Sequence, residues 1–231
     1  GGNSAGDGIE AHAFGGGNVF VSNAGTVTGD PGIIATAVGT GQVQVINTGL
    51  TSALDDGIQT SSVDGITEIR VNAGTVESTS IGDGINATTS GAGNIDIKDL
   101  AGTNINSTTG DGIQATTSGG GSIAVVHAGT ITAGNDQVDA GIAAETDAGG
   151  NINVTANAGS LITASGAGVS AIVANAQVGI ITINANGTIT NAAGDLADSG
   201  ANGDNEIGIY AYNSGTGAIN ITTGASLIAG N

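Results

Sequence analysis

Few side chains in this sequence can do chemistry, so they can be weighed one at a time. It holds two histidines, His12 and His127, two basic residues, Arg70 and Lys98, 20 acidic residues and no cysteine. Acid–base work needs two groups within hydrogen-bond reach of one reacting atom. Arg70, Asp96 and Lys98 form the one mixed-charge group, a basic residue beside a carboxylate that polyuronide lyase chemistry would require. The bland alternative is a cross-strand ion pair on a surface ladder, worth under about 1 kcal/mol. Gly2 to Gly6 match G-x-S-x-G around Ser4, but that motif needs a strand-to-helix elbow, an oxyanion hole and a histidine. In a chain so rich in Gly and Ser it reads as coincidence. No dinucleotide-binding glycine motif and no P-loop lysine occur.

The carboxylates are patterned. Asp7, Asp56, Asp83 and Asp111 each directly precede a glycine, and Asp30, Asp55 and Asp139 stand one residue earlier. Asp-Gly is a favoured turn pair, which is one reading. The other starts from stacking: like charges one strand spacing apart repel by about 0.9 kcal/mol even in water, and calcium would relieve this with carboxylate and carbonyl oxygens. Asp195, Asp198, Asp204 and Glu206 form a second acidic group with the same potential. Calcium is thus the only cofactor to weigh, and no residue is assigned a catalytic, cofactor-binding or metal-ligating role. Thr26-Val27-Thr28, Thr130-Ile131-Thr132 and Thr188-Ile189-Thr190 resemble the T-x-T ranks of ice-binding solenoids, but Glu77, Ile105 and Ile162 break the rank. N-x-S/T occurs at Asn86, Asn106, Asn153, Asn186 and Asn220, in a composition that makes such matches common.

The elements that hold these residues come from a repeat. In 110–132 three short runs alternate apolar and polar residues and are separated by glycine, which is the strand signature. The unit opens with glycine and Ile or Val at Gly8, Gly32, Gly57, Gly84, Gly112, Gly141, Gly168 and Gly208, at intervals of 24 to 40 residues. A period in that range predicts a repeat architecture. The first run points Ile9/Ala11, Ile33/Ala35, Ile58/Thr60, Ile85/Ala87, Ile113/Ala115, Ile142/Ala144, Val169/Ala171 and Ile209/Ala211 inward. The second supplies Val19/Val21, Val43/Val45, Ile69/Val71, Ile95/Ile97, Ile123/Val125, Ile152/Val154, Ile181/Ile183 and Ile219/Ile221. The third supplies Val27, Val76, Ile105, Ile131, Leu161, Ile189 and Leu227.

Three inward faces per coil predict an all-β, right-handed parallel β-helix (β-solenoid) of about eight three-stranded coils, forming a single domain over 1–231, roughly 38 Å long. Corner glycines such as Gly39, Gly91 and Gly119 to Gly121 supply positive φ. An acidic insertion at 191–207 interrupts the third corner. On this frame His12 is outward, and His127 takes the corner position of Asn23 and Asn157. The two lie about 19 Å apart on different faces and are read as solvated.

Composition excludes several function classes. The net charge is -18, so phosphate neutralisation, and with it nucleic-acid binding, is excluded, and the same deficit argues against docking on anionic lipid. No run is long and apolar enough to span a membrane, and no signal peptide is visible. A core without Trp or Met and with two Phe must be narrow. The chain starts and stops in turns and reads as a mature or excised segment.

The phrases G-D-G-I-x-A, G-G-N-I-x-V and N-A-G-T-I-T resemble those of bacterial autotransporter passenger domains and filamentous-haemagglutinin-like adhesins, over nearly the whole chain. The resemblance implies an extracellular β-solenoid on a bacterial surface, used for attachment or as a stalk. Three functions are open: a non-enzymatic structural or adhesive module that meets surface or host ligands, a filament subunit whose partner is itself through end-to-end stacking, and a carbohydrate-active enzyme. The third would need aromatic platforms, which the Arg70 face lacks.

Overall fold

A computed structural model of the chain describes residues 6–134, 139–165, 170–191, 208–224 and 226–229. They fold as a parallel β-solenoid of three eight-stranded sheets, with no helix among the described residues. Each coil gives one strand to each sheet, as in Ile113–Thr117, Ile123–His127 and Thr130–Ala133. Between the first and last coils each strand pairs in parallel with its equivalents one coil before and one coil after, so that Ile113 lies between Ile85 and Ile142. The alternation drives this. A strand with one apolar face cannot bury it alone, whereas three such faces turned inward enclose a core, and like stacks on like along the axis.

The isoleucine column Ile33, Ile58, Ile85, Ile113, Ile142 and Ile172 is fully buried. Each side chain removed from water contributes about 2 kcal/mol. Ile123, Val125 and Ile131 complete the same coil's core, also fully buried. Branched aliphatics suit the site: they favour the extended backbone and pack on the pleat.

The register corrects the sequence reading in three coils. The seventh opening is Ala171-Ile172, with Ile172 and Ala174 inward, three residues after the expected start. Ala171 takes the glycine's place, its carbonyl accepting from the amide of Ile142. Gly168 and Val169 lie outside the described residues. In the third coil Thr67 and Ile69 align with Ile95 and Ile97, so the expected pair Ile69/Val71 is shifted by two. In the third sheet Ile162, not Leu161, stacks on Ile131. Leu161 sits outward at the strand's first residue, where an apolar type misleads a reading that takes the run's first apolar residue as inward.

The corners are tighter than glycine's conformational freedom alone requires. Gly41, Gly65, Gly93, Gly121 and Gly150 form a column in which an added Cβ would stand 1.8–2.1 Å from the carbonyl oxygen of the glycine one coil earlier. None of these five has positive φ. They are glycines because backbone approaches backbone, a reason distinct from the positive φ that does hold at Gly39 and Gly120. Beside this column Thr89, Thr117 and Thr146 point inward and donate to the carbonyls of Gly93, Gly121 and Gly150 at 2.9, 2.9 and 3.2 Å. The core is thus apolar along its faces and hydroxyl-lined at this edge.

Candidate functional site

At the third corner Asp56, Asp83 and Asp111 stack in consecutive coils, as their spacing predicts. Asp83 N–H donates to Asp56 Oδ1 at 2.8 Å and Asp111 N–H donates to Asp83 Oδ1 at 2.8 Å. Ala140 N–H donates to Asp111 Oδ1. The second oxygens are held by neighbours three residues on: Gln59 Nε2 donates to Asp56 Oδ2 at 3.2 Å and Asn86 Nδ2 to Asp83 Oδ2 at 3.1 Å. Each carboxyl therefore caps the amide of the next coil, fastening one rung to the next. Asp56 and Asp111 are buried and Asp83 is half-buried.

Burial dominates their ionisation. It pushes Asp83 up to about 8, helped by the charges of Asp111 and Asp56 and opposed by the Asp111 amide. It pushes Asp111 up to about 7, against the Ala140 amide and with the charge of Asp139. Asp56 is raised for the same first reason, desolvation, with the Asp83 amide opposing. Charge crowding is met here by amide donors and retained protons. Among the described residues no three His, Cys, Asp or Glu side chains gather at a point that could hold a metal ion. The acids Asp195, Asp198, Asp204 and Glu206 lie outside the described residues, as does Ser4 of the G-x-S-x-G match.

His127 corrects the sequence reading: it is fully buried, not solvated. It closes Ile123–His127, whose first, third and fifth residues all face inward. Nδ1 lies 2.9 Å from Asp99 Oδ1, and Nε2 lies 3.2 Å from the carbonyl of Leu161. A carbonyl only accepts, so Nε2 is the donor in that contact. Asp99 Oδ2 accepts from Thr103 Oγ1 at 3.0 Å and from the amide of Gly129 at 2.8 Å. An Asp–His pair is two-thirds of a hydrolytic triad. Here both imidazole nitrogens are engaged and the side chain is sealed, so the pair is a strut across the second corner. The same inner position holds Asn23 and Asn47 lower in the column, joined Nδ2 to Oδ1 at 2.8 Å. Above His127 stands Ala156, not Asn157.

Arg70 makes a two-pronged contact with Asp96, Nη1 to Oδ1 at 3.1 Å and Nη2 to Oδ2 at 2.7 Å, and reaches Glu68 Oε1 at 2.8 Å. The expected register is corrected: Arg70 stands beside Lys98, and Asp96 beside Glu68, so the Asp96 contact runs diagonally. Gln44 Nε2 donates to Glu68 Oε2 at 2.6 Å and extends the row. His12 is outward as expected, 2.6 Å from Glu10 Oε1 and stacked on Phe14 at 6.1 Å.

Asp99–His127 was missed as a pair, and the signal was available. Counting period two from Ile123 places His127 inward, and the same count from Ile95 places Asp99 beneath it. Comparison with protein-family models, curated proteins and solved structures finds no match.

Proposed function

We propose that this chain is a non-enzymatic stalk or attachment module, carried on the outside of a bacterial cell. One observation carries the reading: the residues best equipped for chemistry, Asp99, His127, Asp56, Asp83 and Asp111, are spent on fastening one coil to the next. The outer surface is left with short polar ranks, such as Gln59, Asn86 and Gln114 on successive rungs. Such a surface suits spacing and contact. The passenger-like phrases, and an acidic, cysteine-free composition, support the extracellular setting. The test is to label intact source cells with antibodies raised against the purified chain and to fractionate the same cells. Surface labelling is expected. Recovery of the chain only from the cytosol, or depolymerisation of polyuronides by it, would overturn the proposal.

A second reading, self-stacking, is favoured by one feature. Ile219, Ile221 and Leu227 belong to inward columns, yet they are 43%, 47% and 52% exposed in the last described coil. That apolar rung calls for a cover, which a second copy or further coils of a longer chain would each supply. Electron microscopy of this chain separates the two, since self-stacking gives fibres whose length grows with concentration.

A further inference from the structure

A groove of about 290 Å³ runs along the corner between the first and second sheets, crossing three successive coils. Its lining includes Tyr210, Tyr212, Asn175, Gln177, Glu145 and Asp147. The register explains why they meet. Tyr212 stands directly beside Asn175, and Asn175 directly beside Glu145, one strand spacing apart. Tyr210 lies two residues before Tyr212 and so on the same outward face, about 7 Å along the strand. The groove is on the flank of the solenoid, so no coil stacked above or below would fill it. These are the only two tyrosines of the chain.

One polar atom behind the groove wall is left unmet. Asn175 Oδ1 is buried and accepts no hydrogen bond. A buried acceptor left unmet costs stability, and native proteins keep few of them without a use. With the carboxylates of Glu145 and Asp147 nearby, the groove is rich in acceptors and asks for a ligand rich in donors. Gln177 adds a side-chain donor. Two aromatic rings add flat apolar faces.

We propose that this groove binds a neutral saccharide, with Tyr210 and Tyr212 stacking on the C–H face of a sugar ring and Glu145 and Asp147 accepting from its hydroxyl groups. The chemistry selects the class. A chain of net charge -18 repels anions. A cation would draw little from carboxylates this close to water, where screening is strong. A sugar alone presents an apolar face and an edge of O–H donors together. The volume, at the lower end of small-molecule sites, fits a short terminal unit rather than a buried polymer. The inference deepens the attachment reading by naming what is attached to, and it rests on that reading for its biological sense. Its failure would leave the surface-labelling result untouched.

The chain has no tryptophan, so tyrosine emission reports on this groove alone. The purified chain is titrated with lactose, maltotriose, cellotriose and chitotriose, and with hexalysine as a cationic comparison. A saturable change with at least one of the four sugars, insensitive to ionic strength, is expected. Glu145→Ala keeps both tyrosines and should weaken binding by about tenfold, while its melting temperature stays level because the side chain is exposed. Tyr212→Ala, followed by calorimetry, should lose binding without loss of fold. No response to any of the four sugars at millimolar concentration, a response to hexalysine alone, or unchanged binding in Glu145→Ala overturns the proposal.

Discussion

The stacked aspartates make stability fall as pH rises through neutrality, opposite to the usual effect of paired carboxylates. Burial pushes Asp83 up to about 8 and Asp111 up to about 7 in the folded chain, against 3.8 for an unperturbed aspartate. Between those limits the folded state binds more protons than the unfolded one, so stability is full below about pH 4 and is lost as pH climbs through 7 and 8. At about 1.4 kcal/mol per pH unit, the two windows span roughly 6 and 4 kcal/mol. They do not add, because each charge is part of the other's shift. A Coulomb bound agrees: unit charges one rung apart, about 4.8 Å, repel by roughly 3.5 kcal/mol at an effective dielectric constant near 20. A net loss of about 4 kcal/mol corresponds to a melting temperature lower by about 8–16 °C in a chain of this size. The assay is thermal melting by circular dichroism between about pH 4 and pH 9, on wild type, Asp83→Asn and, as a control for one exposed charge, Glu145→Gln. Asp83→Asn keeps an Oδ1 acceptor for the Asp111 amide and removes the central charge, so it should flatten most of the slope and melt above wild type at the alkaline end. Glu145→Gln should keep the wild-type slope. An equal slope in Asp83→Asn, or a slope that monovalent salt abolishes, would refute the ladder as its source, since salt screens exposed charges far more than buried ones.

Ile113→Asp places a charge in a fully buried column and should cost about 4 kcal/mol or more, read as a collapse of the melting temperature. His127→Ala leaves Asp99 buried without its partner and should cost about 3–5 kcal/mol by denaturant titration. Gly121→Ala should be far more damaging than an exposed helix-type Gly→Ala change, because its Cβ would stand 1.8 Å from the carbonyl oxygen of Gly93; near-wild-type stability would show that the corner can open. Arg70→Ala, on a part-exposed face, should change stability by under about 1 kcal/mol in the same titration.

What could be read from the residues was the period-two alternation and its recurrence, and these were enough for the strands, the three sheets and the inward isoleucines. Alternation fails where it meets a substitution of kind. Ala171 opens the seventh coil without the glycine that marks the others, and the nearest glycine, Gly168, draws the reading three residues early. Leu161 is apolar but outward, a position at which Thr188 and Thr130 stand in neighbouring coils. The corner acids were legible as a stack because each precedes a glycine, yet their protons were not, since ionisation depends on burial and on amide donors from the next coil. His127 carries the inverse lesson. Its parity marks it as inward, but a lone histidine is ordinarily solvated, and only the partner contributed by the preceding coil, Asp99, makes burial tolerable. Tyr210 and Tyr212 gave no signal, because a groove is formed across strands that lie 30 and 37 residues apart in paired register.

This division of labour has a consequence for how such a surface can carry specificity. Inward positions are held in columns, so a change at one rung is felt by the rungs on either side. The corner glycines are held by contact of backbone with backbone. Outward positions touch only their lateral neighbours, and each is worth little to the fold: the Arg70–Asp96 contact is solvent-screened, and Phe14 and Phe20 stand 79% and 62% exposed. Outward residues are therefore free to change in ones and twos without loss of the rod. A binding face on this architecture should be local, a few residues on two or three adjacent rungs, set against a surface that is otherwise repetitive. The groove at Tyr210 and Tyr212 has that form. It gathers the chain's only tyrosines and an unmet buried acceptor onto three rungs, and it leaves the core columns beneath them, Ile142 to Ile172 and Ala144 to Ala174, in the same register as everywhere else.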